Sequence, residues 1–97
     1  MFEIIIVHDA LEDLESLTKS EQTQALDGID RELSQEPLRQ TRNKTPLRAN
    51  DLANWELRIG AVRVFYDVDE SAQRVFVKCV DRKDHNRLIV RGKERQL

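Results

Sequence analysis

The chain has 97 residues, 39% of them hydrophobic and 35% charged, which suits one small folded domain and is too short for two. Its single cysteine, Cys79, excludes a disulfide framework and a cysteine-based zinc site. No apolar run approaches the roughly 18 residues that cross a membrane, and residues 4–7 lack the preceding basic residues of a signal peptide. We therefore expect a cytoplasmic protein with a single domain over residues 1–97 and no membrane partner.

The formal charge is distributed unevenly along the chain. Residues 1–37 carry ten acidic and two basic side chains, a charge of −8, whereas residues 38–97 carry eight acidic and fourteen basic ones, a charge of +6. Such an asymmetry favours either a surface that attracts a polyanion or an acidic helix layer that neutralises a basic sheet. The sequence leaves both interpretations open.

The first part of the chain predicts one strand and two helices. Alternating apolar residues indicate a strand over residues 2–7. Asp9 begins a capping-box pattern, and Ser20 is a suitable N-cap for a second helix that Pro37 ends. We therefore expect a helix hairpin over residues 9–36.

The second part predicts an antiparallel sheet. Residues 38–54 are polar and basic, which is typical of a long and functional loop. Alternation of apolar and polar residues then recurs in three segments, residues 55–59, 62–68 and 75–80. Residues 88–90 favour a short last strand, and the alternation places Cys79 on the apolar face of the meander. The expected fold is α+β, with an N-terminal strand and a helix hairpin packed on an antiparallel sheet.

Two arginines on adjacent predicted strands form the first candidate site. Arg58 and Arg63 flank the turn at residues 60–61, so their side chains approach each other. Two like charges side by side are costly unless an anion lies between them, and guanidinium groups bind phosphate in fork geometry. The alternative is a solvated surface ladder, in which the arginines pair with Glu56 and Asp67.

A second candidate group follows the last strand of the meander. The segment 81–87 places Lys83 and His85 near the end of that strand, where His85 can exchange a proton near neutral pH. A plain charged turn is the alternative. The surroundings of His85 and His8 do not have metal-ligand spacing, and glycine-rich phosphate loops are absent from the sequence. We therefore expect neither a metal nor a cofactor.

The stretch from Trp55 to Val68 resembles the central signature of the RelE/ParE toxin superfamily. That signature is a Trp-x-Leu-Arg-hydrophobic-Gly strand and turn, followed by Arg-Val-hydrophobic-Tyr, and the matching residues here read WELRIGAVRVFYDV. The segment KTPLR at residues 44–48, the helix hairpin and the basic segment after the meander fit the same pattern. The resemblance implies the toxin of a type II toxin–antitoxin module, assembled with a cognate antitoxin as a hetero-oligomer.

The RelE-like branch of this superfamily cleaves mRNA in the ribosomal A site, where the RNA 2′-hydroxyl attacks the adjacent phosphate. The resemblance implies that Arg63 stabilises the transition state and that Arg58 contacts the phosphate region. It implies further catalytic roles for Lys83, for His85 as an acid and for Glu56 as a general base. Contacts with mRNA and the ribosome are expected from six further bases, Arg39, Arg42, Lys44, Arg48, Arg82 and Arg87.

Two features depart from the RelE-like pattern. No tyrosine follows Tyr66, whereas RelE-like nucleases commonly carry a tyrosine or histidine near the C-terminus, and Glu56 occupies a position that is basic in some relatives. Two alternatives therefore stay open: a ParE-like gyrase inhibitor, and an inert protein whose only partner is its antitoxin. The nuclease hypothesis requires Arg58, Arg63 and residues 82–87 to converge, and an Arg63 buried in an ion pair away from that segment counts against it.

Overall fold

The computed structural model describes the backbone of residues 1–84, 87–90 and 93–95 and the side chains of residues 1–82. The elements in chain order are β1 (Glu3–Ile6), α1 (His8–Glu15), α2 (Lys19–Leu33), β2 (Lys44–Pro46), β3 (Trp55–Ile59), β4 (Val62–Asp69), β5 (Arg74–Asp84), β6 (Arg87–Val90) and β7 (Lys93–Arg95). Both helices pack on a sheet, which confirms the predicted α+β fold with its helix hairpin and its three-stranded meander.

The sheet is mixed because the N-terminal strand adds one parallel pair. The strands follow the order β2-β3-β4-β5-β6-β7, and the pairs along this path are antiparallel. β1 instead runs parallel to the first part of β5, with Glu3 opposite Arg74 and Ile6 opposite Val77. β5 is 11 residues long, so its last residues reach past β1 and pair with β6 at the same edge.

The main core lies between the helices and one face of the sheet. From the helices it takes Leu14, Ala25, Ile29 and Leu33, and from the sheet Leu57, Val62, Val64, Tyr66, Val75, Val77 and Val80. Gly28 lets α2 lie close to the end of β3, because a Cβ atom there would stand 2.5 Å from Cδ1 of Ile59. The packing of α2 on β3 therefore fixes the position of the β3–β4 turn.

A β-bulge interrupts the alternation in β5. Phe65 pairs with Cys79, but the next residue of β4, Tyr66, pairs with Val77. Lys78 is therefore an extra residue on β5 without a register partner on β4. Beyond the bulge, each side chain of β5 faces the side opposite to the one that strict alternation predicts.

Because of the bulge, Cys79 lies on the face of the sheet opposite to the one that the sequence predicts. Val80 joins the helix-covered core, and its backbone N–H donates to Oδ2 of Asp13 on α1 at 3.1 Å. Cys79 is buried, but it packs with Phe65 and Ala53 in a smaller cluster on the other face. The prediction that it shares a face with the rest of the meander's apolar residues is wrong, because one inserted residue shifts a pattern of period two.

Both helices begin earlier than predicted. Thr18 is the N-cap of α2: its Oγ1 accepts from the backbone N–H of Glu21, whose carboxylate accepts from the N–H of Thr18. Val7 is the N-cap of α1 and supplies no side-chain bond. The prediction of Asp9 and Ser20 as caps is wrong, because each is the second residue of its helix.

Tyr66 ties the chain after α2 to the core. Its hydroxyl donates to the carbonyl oxygen of Pro37 at 2.7 Å, and both residues are fully buried. Burial and the negative charge of Glu32 raise the pKa of Tyr66 far above its ordinary value, so the hydroxyl stays protonated and remains a donor.

Replacing Tyr66 by phenylalanine is expected to lower the free energy of unfolding by about 1–2 kcal/mol. The phenyl ring keeps the packing against Trp55, whose ring centroid lies 6.1 Å away, but the buried carbonyl of Pro37 loses its donor. Urea unfolding of the two proteins measures the difference. An unchanged free energy of unfolding contradicts the assignment of this bond.

Candidate functional site

The face of the sheet opposite the helices carries the predicted catalytic residues of β3 and β4. We call this surface the open face, and its side chains include Glu56, Arg58, Arg63, Phe65 and Asp67. The residues between them in sequence point to the helix-covered core, so alternation fixes which side each one takes. Part of the open face lies under the loop before β3, where Leu47 and Leu52 pack on the small cluster around Phe65.

The β3–β4 turn brings the two predicted arginines together. Arg58 and Arg63 are register partners in the β3–β4 hairpin, and Gly60 and Ala61 form its turn. Gly60 has φ +60°, a left-handed conformation that favours glycine. Cross-strand partners have Cβ atoms about 4.5–5.5 Å apart, so two guanidinium groups are held near each other on the open face.

Arg63 is the buried member of the pair, with 9% of its side chain exposed. Its Nη1 donates to the carbonyl oxygens of Gly60 at 2.7 Å and Val62 at 3.2 Å. Its Nε lies 3.5 Å from Oε1 of Glu56 and is a buried nitrogen without a hydrogen-bond partner. Burial, followed by the charge of Arg58, lowers the pKa of Arg63, and Glu56 opposes the shift. Arg63 is therefore a fixed cation in an ion pair, which is the arrangement that counts against a freely accessible catalytic arginine.

Arg58 is the exposed member of the pair. Among the residues whose side chains the structure describes, its guanidinium has neither a hydrogen-bond nor an ion-pair partner, while its backbone N–H donates to the carbonyl oxygen of Asn43. Glu56 lies two residues earlier on the same face, with 16% of its side chain exposed. Two guanidinium groups and one carboxylate leave the cluster with a charge of +1, and Arg58 is the group that a phosphate reaches first.

The alternative of a surface ladder is realised in part. Glu56 pairs with Arg63, as that alternative predicts, but Asp67 pairs with Lys78 at 3.5 Å instead of an arginine. Asp67 also accepts from the backbone N–H of Asn54 at 2.7 Å, which holds the end of the preceding loop. Asp67 thus fixes the loop and the bulge, and Arg58 keeps its positive charge uncompensated within the described part of the chain.

Lys44, which the sequence predicts to contact RNA, lies beneath α2 and not on an exposed loop. It lies in β2 opposite Leu57, whose side chain faces the core, so Lys44 points under α2 and is only 5% exposed. Its Nζ donates to the carbonyl oxygens of Glu32 at 3.1 Å and Glu36 at 2.9 Å. Carbonyls at a helix C-terminus attract a cation, so Lys44 caps the end of α2.

Arg82 is also directed away from the open face. It is the register partner of Val62, a core residue, and its guanidinium bonds to the carboxylate of Glu21 on α2. That bond lowers the pKa of Glu21. The bulge is the reason, because it turns Arg82 toward the helices. The contact of Arg82 with RNA or the ribosome stays a prediction.

The remaining predicted residues divide between an exposed loop and the end of the chain. Arg42 is exposed on the segment between α2 and β2, where Arg39 pairs with Glu36 at 2.9 Å, and Arg48 is exposed on the loop between β2 and β3. The predicted roles of Lys83, His85 and Arg87 fall outside the described side chains. The structure thus brings Glu56, Arg58 and Arg63 together and leaves the second candidate group undecided.

A groove at the end of the β3–β4 hairpin contains residues that the sequence did not indicate. It has a volume of about 350 Å³ and is lined by Arg31, Glu32, Asn43, Arg58, Ile59 and Gly60. Arg31 lies in the last turn of α2, in a segment whose charge is otherwise strongly acidic. In the sequence, Arg31 stands out as one of only two basic residues within residues 1–37. Nothing in the sequence, however, indicates that it lies in the same groove as Arg58.

The described residues contain neither a cluster of metal ligands nor a membrane-spanning helix. Within residues 1–82, no three His, Cys, Asp or Glu side chains are gathered as a set of metal ligands. No helix in the described part of the chain combines the length and the apolar character that crossing a bilayer needs.

Solved structures of RelE toxin–antitoxin complexes have chains with this fold. The RelBE2 complex of Mycobacterium tuberculosis matches with a TM-score of 0.74 and 26% identity, over 84% of this chain and 90% of that one. The archaeal RelE–RelB complex of Pyrococcus horikoshii matches with 0.70 and 20%, over 87% and 97%. The intact E. coli RelBE complex matches with 0.51 and 18%, over 88% and 100%. No family model and no curated protein sequence matches the chain.

These similarities confirm the fold that the resemblance on β3 and β4 implies. The chain has the fold of a RelE-like toxin, with the helix hairpin on one face of the sheet and the Arg58–Arg63 pair on the other.

Proposed function

We propose that this protein is the toxin of a toxin–antitoxin pair and that it inhibits translation by cleaving mRNA on the ribosome. The antitoxin partner is supported by its structural neighbours, each of which is a RelE toxin–antitoxin complex. The cleavage is supported by one observation above all, the placement of Arg58 opposite Arg63 and beside Glu56 on the open face. The proposal places the protein in the cytoplasm, where its substrate lies.

The proposed reaction is an internal transesterification of the RNA. The 2′-oxygen forms a bond to the adjacent phosphorus as its proton leaves, and the bond from phosphorus to the 5′-oxygen breaks. The products are a 2′,3′-cyclic phosphate and a 5′-oxygen, which takes up a proton from water and becomes the 5′-hydroxyl. Negative charge builds on the phosphorane oxygens in between, and fixed positive groups at that position lower the barrier.

The three residues of the cluster divide this work. Arg58 contacts the phosphate, because its guanidinium is exposed. Arg63 adds a second positive charge whose position is set by its bonds to the carbonyls of Gly60 and Val62, so the charge needs no reorganisation during the reaction. Glu56 pairs with Arg63, lies two residues before Arg58 on the same strand face, and takes the proton of the 2′-hydroxyl.

A second candidate function is antitoxin binding without catalysis. The burial of Arg63 favours it, since this guanidinium already pairs with Glu56 and bonds to two carbonyls. On this alternative, Arg58 and Glu56 form an ordinary charged surface that the antitoxin covers. Gyrase inhibition is the third possibility that the sequence left open, and no described residue favours it.

Induction of the protein in bacteria that lack its antitoxin separates the three functions. We expect growth arrest with a rapid fall in the incorporation of labelled amino acids, while thymidine incorporation falls later. A block in DNA synthesis that precedes any loss of protein synthesis indicates gyrase. Unimpaired growth of cells that contain the folded protein supports the inert alternative and contradicts the proposal.

Replacing Glu56 by glutamine is expected to strengthen RNA binding about 3–10-fold and to weaken cleavage. The carboxylate is the negative group beside Arg63 and competes with a phosphate for its positive charge, so removing it exposes that charge to RNA. Affinity for a cleavage-resistant RNA oligomer and the rate of mRNA cleavage are measured separately. Asp67→Asn is the control, because Asp67 pairs with Lys78 on the same face. Weaker RNA binding by Glu56→Gln contradicts the competition.

A further inference from the structure

The groove beside the β3–β4 turn lies outside the catalytic cluster but shares one residue with it. Arg31 and Glu32 form one wall at the end of α2, and Asn43 lies on the chain that enters β2. Arg58 belongs both to the groove and to the Arg58–Arg63 pair of the open face. The groove is therefore continuous with the proposed site of cleavage.

The charge of the groove favours an anion. Arg31 has 68% of its side chain exposed, and its only described partner is Glu32, whose Oε2 lies 3.7 Å from the Nε of Arg31. That distance is an ion pair without a hydrogen bond, so Glu32 does not occupy the donors of Arg31. With Arg58 the groove holds two guanidinium groups against one carboxylate, and Asn43 adds an exposed amide.

The size of the groove limits what it holds. Its volume of about 350 Å³ is at the lower end of the ~300–1,000 Å³ range of small-molecule sites. Ile59 adds an apolar residue to the lining that contains the two arginines, and guanidinium planes stack on nucleobases as well as bind phosphate. An apolar contact, two phosphate ligands and an amide within such a volume suit a single nucleotide.

We propose that this groove binds one nucleotide of the substrate RNA next to the cleaved bond, with Arg31 and Arg58 as its phosphate ligands. The inference rests on the proposed function and extends it, because it makes Arg31 a substrate-positioning residue on a helix whose other charged side chains, apart from Lys19, are acidic. The RNA then runs from the open face around the end of the hairpin to α2. The acidic surface of the helices confines it to that route by repelling phosphates elsewhere.

The salt dependence of RNA binding tests this inference. The ligand is a fluorescent single-stranded RNA of about ten nucleotides with 2′-O-methyl groups, which cannot undergo the reaction. For single strands, log K falls with log[salt] by a slope of about 0.7 for each phosphate contact. Arg31→Ala is expected to lower the affinity about 3–10-fold at low salt and to reduce the slope by about 0.7. Arg31→Lys, which retains the charge, is expected to keep the wild-type slope.

Arg74→Ala is the matched control, since Arg74 is an exposed arginine with one ion-pair partner, Glu3, at the other end of the hairpin. Its slope is expected to equal that of the wild type. An unchanged slope for Arg31→Ala, with RNA binding by the wild type intact, overturns the groove and leaves the proposed function standing. If the wild type itself binds no RNA, both fall. If Arg31→Ala weakens only an antitoxin complex, the groove is a protein-binding site and the inference is wrong.

Discussion

Replacing Arg58 by glutamate is expected to reduce mRNA cleavage at least about 100-fold and to abolish growth arrest on induction. A single donor to a developing oxyanion is commonly worth a factor of about 100–1,000, and the reversed charge also repels the RNA. The fold is expected to survive, because Arg58 is exposed and a glutamate there lies opposite Arg63, with which it can pair. The measurements are the cleavage rate in a translation reaction and the midpoint of thermal unfolding.

Arg74→Glu is the charge-matched control for this variant. Arg74 is likewise exposed on the sheet, but it lies at the start of β5 opposite Asp69, at the far end of the hairpin from Arg58. Its toxicity is expected to equal that of the wild type. Full toxicity of a folded Arg58→Glu protein shows that the exposed arginine of the pair takes no part in the activity.

Replacing Lys44 by methionine is expected to lower the free energy of unfolding by about 2–4 kcal/mol. The thioether keeps the apolar contacts of the lysine stem, but the carbonyl oxygens of Glu32 and Glu36 lose a charged donor. Hydrogen bonds to charged groups are worth about 1.5–3 kcal/mol each, and the two share one ammonium group. Because Lys44 is nearly buried, we expect no direct effect on RNA binding by the protein that remains folded.

Urea unfolding measures this loss, with Lys19→Met as the matched control. Lys19 is an exposed lysine at the first position of α2, where no described contact uses its ammonium group, so its replacement is expected to change stability by less than about 0.5 kcal/mol. If Lys44→Met unfolds like the wild type but loses RNA affinity, Lys44 is an RNA-binding residue and the capping role is wrong.

The elements near the candidate site were predictable because their patterns are local. The alternation on β3 and β4 and the two-residue turn with Gly60 determine that Arg58 and Arg63 are partners on one face. The N-cap of α2 was also readable, since Thr18 and Glu21 have the spacing of a capping box, although Ser20 was predicted instead. The local spacing of residues was therefore enough to predict both the helix hairpin and the arginine pair.

The features that the sequence did not predict depend on tertiary contacts. The bulge at Lys78 decides which way Cys79 and Arg82 point, and no residue type in β5 marks it. Lys44 was assigned to a basic loop, but its pairing with Leu57 turns it inward beneath α2. The burial of Arg63 could not be predicted either, because the alternating pattern of β4 shows only that Arg63 is a polar residue on one face of the strand.

Primer extension on mRNA in a reconstituted translation reaction tests the central claim most directly. The purified wild-type protein and Arg58→Glu are each added with ribosomes and without them. Arg58 is preferable to Arg63 as the test position, because Arg63 also holds the β3–β4 turn through its bonds to Gly60 and Val62. We predict new 5′ ends that appear only with the wild type and only when ribosomes are present. An intact message in every reaction, while the wild type still arrests growth, contradicts mRNA cleavage as the activity of this fold.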